Sequence, residues 1–291
     1  MSDSITVFNR RTLRLHRDRA ADRFKEHHFL FREIGERLAD RLDDVNRRFP
    51  FALDLGCHDG GLAELLGDRG GVESLVQCDL SEKMAARAQG LRVAADEEFL
   101  PFGEGVFDLV LSNLTLHGVN DLPGALTQIR RSLKPDGLFL AALFGGGTCK
   151  ELRRALAEAE ITEEGGLSPR VSPFVEIKDA GALLQRAGFA LPVADLDTVC
   201  VSYPDFTTLL HDLRGMGEAN AVRERRKTFT RSATMAGAAN RYETLFGDPG
   251  GRLPATFQII YLTAWAPDPS QPKPMAPGSA SHSLAEALRS K

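Results

Sequence analysis

The chain has 291 residues, 43% of them apolar and 26% charged, with a formal net charge of −4. That length suits one large domain with a well-buried core, and the charge balance points away from nucleic acid as a partner. The longest apolar runs reach only about ten residues, short of a membrane span, which leaves peripheral association as the only membrane contact the sequence allows. Cys57, Cys78, Cys149 and Cys200 form no Cys-x-x-Cys pair, so neither a zinc knuckle nor a redox dithiol is signalled. Free thiols in apolar runs fit a reducing, cytoplasmic location.

The amino terminus is rich in arginine: Arg10, Arg11, Arg14, Arg17 and Arg19. Asp3 and Asp18 interrupt it, so it reads as a solvated helix face or a basic arm for a partner rather than a transit peptide. Residues 22 to 46 are predicted to form a helix, with Phe31, Ile34, Leu38, Leu42 and Val45 recurring every three or four positions. Residues 1–48 thus form an arm and helix ahead of the main domain, 49–266.

Strands are predicted at 51–56, 74–78, 91–95, 107–112 and 137–143, with helical patterns between them. The clearest helix carries Leu122, Leu126, Ile129 and Leu133 on one face. Alternation of buried strands with helices predicts an α/β fold with a mostly parallel sheet. Helices are expected at about 148–160 and 178–188, on either side of a Gly- and Pro-rich stretch at 164–174 that suits a lid or a plain surface connection. Residues 193–201 and 256–265 read as the last two strands, the final one antiparallel. The tail 267–291 opens with five prolines in eleven residues and is expected to be disordered.

The chemistry concentrates at successive strand ends. Leu53-Asp54-Leu55-Gly56-Cys57-His58-Asp59-Gly60 hands the first strand to a helix, and glycines there let backbone approach a ligand closely. Asp54 is placed to meet a cationic amino acid moiety. Asp79, nineteen residues after Gly60, can accept hydrogen bonds from ribose hydroxyls, as in Rossmann sheets. Asp96 and Glu97 follow the third strand, placed for an adenine amino group, and Leu100-Pro101-Phe102 would close the pocket. Bound NAD would want Gly-x-Gly-x-x-Gly, which the spacing Gly56, Gly60, Gly61 does not give. S-adenosylmethionine (SAM) has no phosphates, so acids around it make chemical sense.

The runs LDLGCHDG, CDLSEKM, ADEEFLPF, FDLVLSNLTLH and LKPDG together resemble class I SAM-dependent methyltransferases of the type 11 group. The resemblance implies a Rossmann-like methyltransferase fold, SAM as cofactor, and a site holding Asp54, Gly56, His58, Gly60, Asp79, Leu80, Asp96, Glu97 and Asn113. His58 stands where these enzymes usually carry glycine, so an imidazole is expected to crowd the methionine end or to bond its carboxylate.

Further segments, including FGGGTCKELR, EEGGLSPRVSPF, LRGMGEAN and LPATFQIIY, resemble the methyltransferase-like complex I assembly factor family of mitochondria and its bacterial relatives. This resemblance spans residues 7 to 285. It implies modification of a protein partner, hydroxylation of an arginine in a respiratory complex I subunit. The shared type 11 motifs leave open an O-methyltransferase for a small or acyl-carrier-bound carboxylate, and a non-catalytic SAM-binding scaffold.

Seven histidines are present, at 16, 27, 28, 58, 117, 211 and 282. They form no convincing iron-binding set with a carboxylate, although His211 and Asp212 are adjacent, and no metal is expected. His117, just past the fourth strand, is the candidate general base. Gly118 stands where relatives often carry tryptophan, and its small size is expected to open the pocket wall. Tyr261 and Trp265 are candidates to shape the substrate side.

Overall fold

The computed structural model describes residues 6–272. The chain begins with α1 (Arg10–Ala20), whose amino end is capped by the Asn9 side chain accepting from the Thr12 N–H. A 3₁₀ turn, Ala21–Arg23, leads into α2 (Phe24–His27) and α3 (Phe29–Asp40). The single helix expected at 22–46 is therefore broken. His28, with ψ near 9°, is the break, and it lets Phe24 and Phe31 converge on one side chain while His27 faces elsewhere.

Strand and helix then alternate through β1 (Phe51–Leu55), α4 (Gly61–Leu66), β2 (Ser74–Asp79), α5 (Glu82–Ala85), β3 (Leu91–Ala94), β4 (Phe107–Asn113), α6 (Leu122–Ser132) and β5 (Leu133–Phe144). After β5 come α7 (Lys150–Glu164), α8 (Ile177–Arg186), β6 (Ala190–Tyr203), α9 (Phe206–Gly215), α10 (Ser232–Phe246) and β7 (Leu253–Trp265). The seven strands form one sheet in the order β3-β2-β1-β4-β5-β7-β6. The first five pair in parallel, and β7 runs antiparallel to both β5 and β6, as the patterning predicts.

The period-2 geometry of the strands sorts their side chains onto two faces. Leu138, Leu140, Ala142 and Phe144 of β5 join Ile34 and Leu38 of α3, with Ala155 of α7 and Tyr242 of α10. The alternate residues Phe139, Ala141 and Leu143 pack with Leu126 and Ile129 of α6 and Leu184 of α8. Each Leu, Ile or Phe among them, fully removed from water, contributes about 1.5–3 kcal/mol of transfer free energy.

Two further expectations meet a different outcome. Leu100 and Phe102 pack on the α6 side of the sheet, with the Phe102 ring 5.1 Å edge-on to Phe107, so they support β4 rather than close a ligand pocket. Of the tail expected to be disordered, residues 273–291 lie outside the described residues. Residues 267–272 are tied down, because the Gln271 amide donates to Asp136 and to the Ala266 carbonyl at 2.8 and 2.9 Å.

Candidate functional site

Because the first four strands are parallel, their carboxyl ends lie along one edge, where open α/β sheets place ligands. Asp54 lies in β1, Asp79 ends β2, Asp96 and Glu97 follow β3, and Asn113 ends β4. The turn after β1 is tight: Gly56 has φ +77°, and the Gly56 and Cys57 amides donate to the Cys78 carbonyl at 2.7 and 2.9 Å. A Cβ at Gly56 would collide with the Thr115 side chain, so only glycine fits. Gly60 is also left-handed and caps α4. Leu80 is half-buried beside Asp79.

His58 fills much of this turn. Its ring stacks on Phe24 (centroids 5.4 Å, 12° between planes) and meets Phe31 edge-on at 4.6 Å. Its Nε2 lies 3.2 Å from the Asn113 carbonyl oxygen and 3.1 Å from Thr115 Oγ1, while Nδ1 has no partner. Burial and the nearby Arg17 lower its pKa and keep the imidazole neutral. The backbone is left-handed here too, φ +50°, in the position where glycine was expected. With the imidazole in place the cavity beside Asp54 is about 20 Å³, room for about one water.

Asp54 is fully buried, and neither carboxylate oxygen has a hydrogen-bond partner. Burial, with Asp79 and Asp59 adding like charge, pushes its pKa up to about 8. An unpaired carboxyl of this kind gains most from a cation. Binding of a cation there favours the ionised form, so at neutral pH it is expected to release a proton. SAM affinity should then strengthen as pH rises from 6 toward 8 and level off above that. Asp54→Asn should flatten this dependence in a calorimetric titration; a wild-type profile without slope contradicts the assignment.

At the ends of β2 and β3 the acids are already paired, by residues expected on a solvated helix face or a basic partner arm. Arg17 is 1% exposed. Its Nη1 donates to Glu97 at 2.9 Å and sits 3.4 Å from both Asp79 oxygens. Arg10 bonds Asp96 at 2.6 Å, Glu97, and the Gly118 carbonyl at 3.0 Å. Burial alone would raise the Glu97 carboxyl; Arg17 and Arg10 overcome it and hold it at about 2. Asp79 also accepts from the His58 and Ser81 amides. Asn113 donates to the Phe31 carbonyl at 2.8 Å, leaving its own oxygen without a partner. The space that Gly118 was expected to open is taken by Leu13 of α1, 2.8 Å from where a Cβ would stand.

In the 3₁₀ turn Leu116–Gly118 that follows β4, the His117 Nε2 lies 3.0 Å from Glu218 Oε2. The ring rests against Phe144 (4.6 Å) and Phe174 (5.5 Å). Glu218, Phe144, Phe174 and Phe257, with Arg170 and Arg214, line a cavity of about 180 Å³. Arg170, Val171 and Ser172 make the stretch at 164–174 part of that wall. His117 acts on Glu218 to lower its pKa against the effect of burial. Glu218 lies within the LRGMGEAN segment that carries the family resemblance, but nothing in its spacing singled it out as a site residue. Tyr261 does not join this cavity; it is core, with the Arg41 guanidinium 4.4 Å above its ring. Trp265 likewise packs near Phe49.

Residues 53–141 match the family described as a methyltransferase domain. The chain is 44% identical over 289 residues to the mitochondrial arginine-hydroxylase NDUFAF5 of Danio rerio, covering 97% of this chain and 89% of that one. The human protein of the same name is 45% identical over 263 residues, 89% of this chain and 76% of its own. The chain belongs to this arginine-hydroxylase family. It is also 33% identical to a malonyl-acyl-carrier-protein O-methyltransferase of Xylella fastidiosa, over 86% of this chain and 85% of that one. The fold is shared with the YcgJ protein of Bacillus subtilis (TM-score 0.56, 14% identity, 79% and 98% covered). A phosphoethanolamine N-methyltransferase of Haemonchus contortus solved with S-adenosylhomocysteine also shares it (TM-score 0.50, 17% identity, 80% and 52% covered).

Proposed function

We propose that this chain binds SAM at the strand ends and modifies an arginine side chain of a protein partner, a respiratory complex I subunit. The observation that carries the arginine assignment is the cavity beside His117. It offers a guanidinium one nearly buried carboxylate, Glu218, and the faces of Phe144, Phe174 and Phe257, the combination that carboxylate pairing and cation–π attraction favour. Relatives named as arginine hydroxylases support the same reading.

For the cofactor, the fit differs between its two ends. Asp54, unpaired and buried, suits the ammonium of the methionine moiety, with Gly56 and the free Asn113 amide oxygen around it; His58 must swing aside there, since the space beside Asp54 is only about 20 Å³. Asp79 and Glu97 suit the ribose and adenine, and there Arg17 must withdraw and Arg10 must release Asp96. Leu80 would flank the base. When bound, SAM supplies a cationic sulfonium with a transferable methyl group. The role of this chain's residues is then to orient acceptor and cofactor and to exclude water. His117 holds Glu218 in position; its Nδ1 is buried without a partner and the ring lies behind the cavity wall, so it acts on an acceptor through Glu218.

The O-methyltransferase reading keeps one observation in its favour: Arg170 and Arg214 line the same cavity and could hold a carboxylate. The arm 1–48 and the domain 49–266 work as one unit in either case, since α1 supplies Arg10 and Arg17. Three buried free thiols support a reducing, cytoplasmic setting, and among the described residues no helix is long and apolar enough to cross a membrane.

The deciding measurement is the intact mass of each complex I subunit with and without this protein. Hydroxylation predicts loss of one oxygen's mass from a subunit arginine in the deletion strain. Loss of one methylene from a protein or a small acid favours methyl transfer. An unchanged mass alongside failed assembly favours the scaffold.

A further inference from the structure

Where α1, α2 and α9 come together, three side chains of metal-ligating type meet. His27 of α2 is buried, and its Nδ1 lies 2.6 Å from Asp212 Oδ1 of α9. The His211 ring stands edge-on to His27 with centroids 4.9 Å apart. One donor atom from each of the three lies within 4.8 Å of the others. The sequence separates His27 from the other two by more than 180 positions, which is why its histidines show no set.

We propose that His27, His211 and Asp212 form a site for a divalent transition metal of the iron, cobalt or zinc kind. Two imidazoles and one carboxylate, with the remaining positions open, form a donor set those ions accept. Ligand atoms at about 2.0–2.2 Å from a shared metal stand closer together than the widest separation here. His211 supplies the adjustment: it is exposed and makes no hydrogen bond among the described residues, so its ring is free to turn inward. The other two are already side by side, joined by a hydrogen bond that a metal bound between Nδ1 and Oδ1 would replace. Gly215 allows α9 to approach this closely, since a Cβ there would strike the His27 ring.

The open side faces a cavity of about 230 Å³ lined by His16, Arg19, Arg23 and Arg214 as well as His27 and His211. Arg23 is paired with Glu26, but Arg19 and Arg214 oppose a bare dication, and they attract an anion. The metal is therefore expected together with a carboxylate-bearing co-ligand that spans metal and arginine. A simple interhelical tie would need only the His27–Asp212 hydrogen bond; it leaves the His211 ring, Arg19 and Arg214 without a part in it.

The test uses the full chain, treated with chelator and titrated with Co(II) in the absence of any arginine substrate, so it reads the site whether or not the hydroxylase assignment holds. Expected are one equivalent of bound Co(II) with visible ligand-field absorption, and tighter binding when oxalate is added. His211→Ala should weaken binding by at least about tenfold while leaving the thermal midpoint unchanged, because that side chain is exposed. Asp212→Asn should also weaken Co(II) binding, with some loss of stability from the broken His27 bond. Absence of ligand-field bands, or the same bands and affinity in His211→Ala, would overturn the site. Oxalate without effect would remove the anionic co-ligand from it.

Discussion

Replacing Arg17 by methionine, which keeps the aliphatic stem, is expected to destabilise the ligand-free protein by about 3–5 kcal/mol, the cost of leaving buried carboxylates without their counter-charge. Arg17 is 1% exposed and its partners Asp79 and Glu97 are fully buried, so solvent cannot take its place. Urea unfolding measures this directly. The acid limb should change with it. In the wild type Glu97 is held at about 2, below the ~4.3 of an unfolded chain. The stabilisation is therefore complete above the unfolded value and is lost as pH falls toward 2; in the variant that slope should shrink.

The same substitution separates two roles for α1. The acids that Arg17 neutralises are those that resemblance to SAM-dependent methyltransferases assigns to the cofactor. Should ribose and Arg17 compete, Arg17→Met binds SAM more tightly than the wild type, by roughly tenfold for each 1.4 kcal/mol of pairing it no longer has to break. SAM should then raise the variant's melting temperature more than the wild type's, since ligand stabilisation scales with affinity. A weaker SAM complex in the variant would instead make Arg17 part of the binding surface and exclude competition.

Glu218→Gln carries the second large effect. The side chain is 11% exposed and lies 3.0 Å from His117, and it is the carboxylate proposed above to meet a substrate guanidinium. A hydrogen bond to a charged group contributes about 1.5–3 kcal/mol, so KM for an arginine-bearing peptide should rise by roughly ten- to a hundredfold. The kcat should move far less, because glutamine is isosteric and Phe144, Phe174 and Phe257 remain. His117→Ala should act differently, lowering kcat if the His117–Glu218 pair moves a proton and raising KM alone if the ring only positions Glu218. An unchanged KM in Glu218→Gln would place the arginine elsewhere.

What the sequence determined by itself was local or periodic. Strand and helix alternation and the acids Asp54, Asp79, Asp96 and Glu97 at strand ends follow from spacing along the chain. A parallel α/β sheet turns that spacing directly into position. The signal at α1 was also present: Arg10, Leu13, Arg17 and Ala20 recur every three or four residues on one face. Arginine on a helix face is ordinarily solvated, and only the buried acids opposite give these two a reason to point inward.

Tertiary structure decided the rest, because the deciding contacts join distant segments. Leu13 filling the space at Gly118, His117 meeting Glu218, and His27 meeting His211 and Asp212 each depend on how α1, α2 and α9 fold back across the strand ends. The break at His28 is what turns Phe24 onto His58 and His27 toward α9. A continuous helix, as the apolar periodicity alone implies, would have done neither. The cofactor loop was legible because one strand and one turn build it. Its occupants were not, since buried charge is satisfied by whichever partner the folded chain brings within reach.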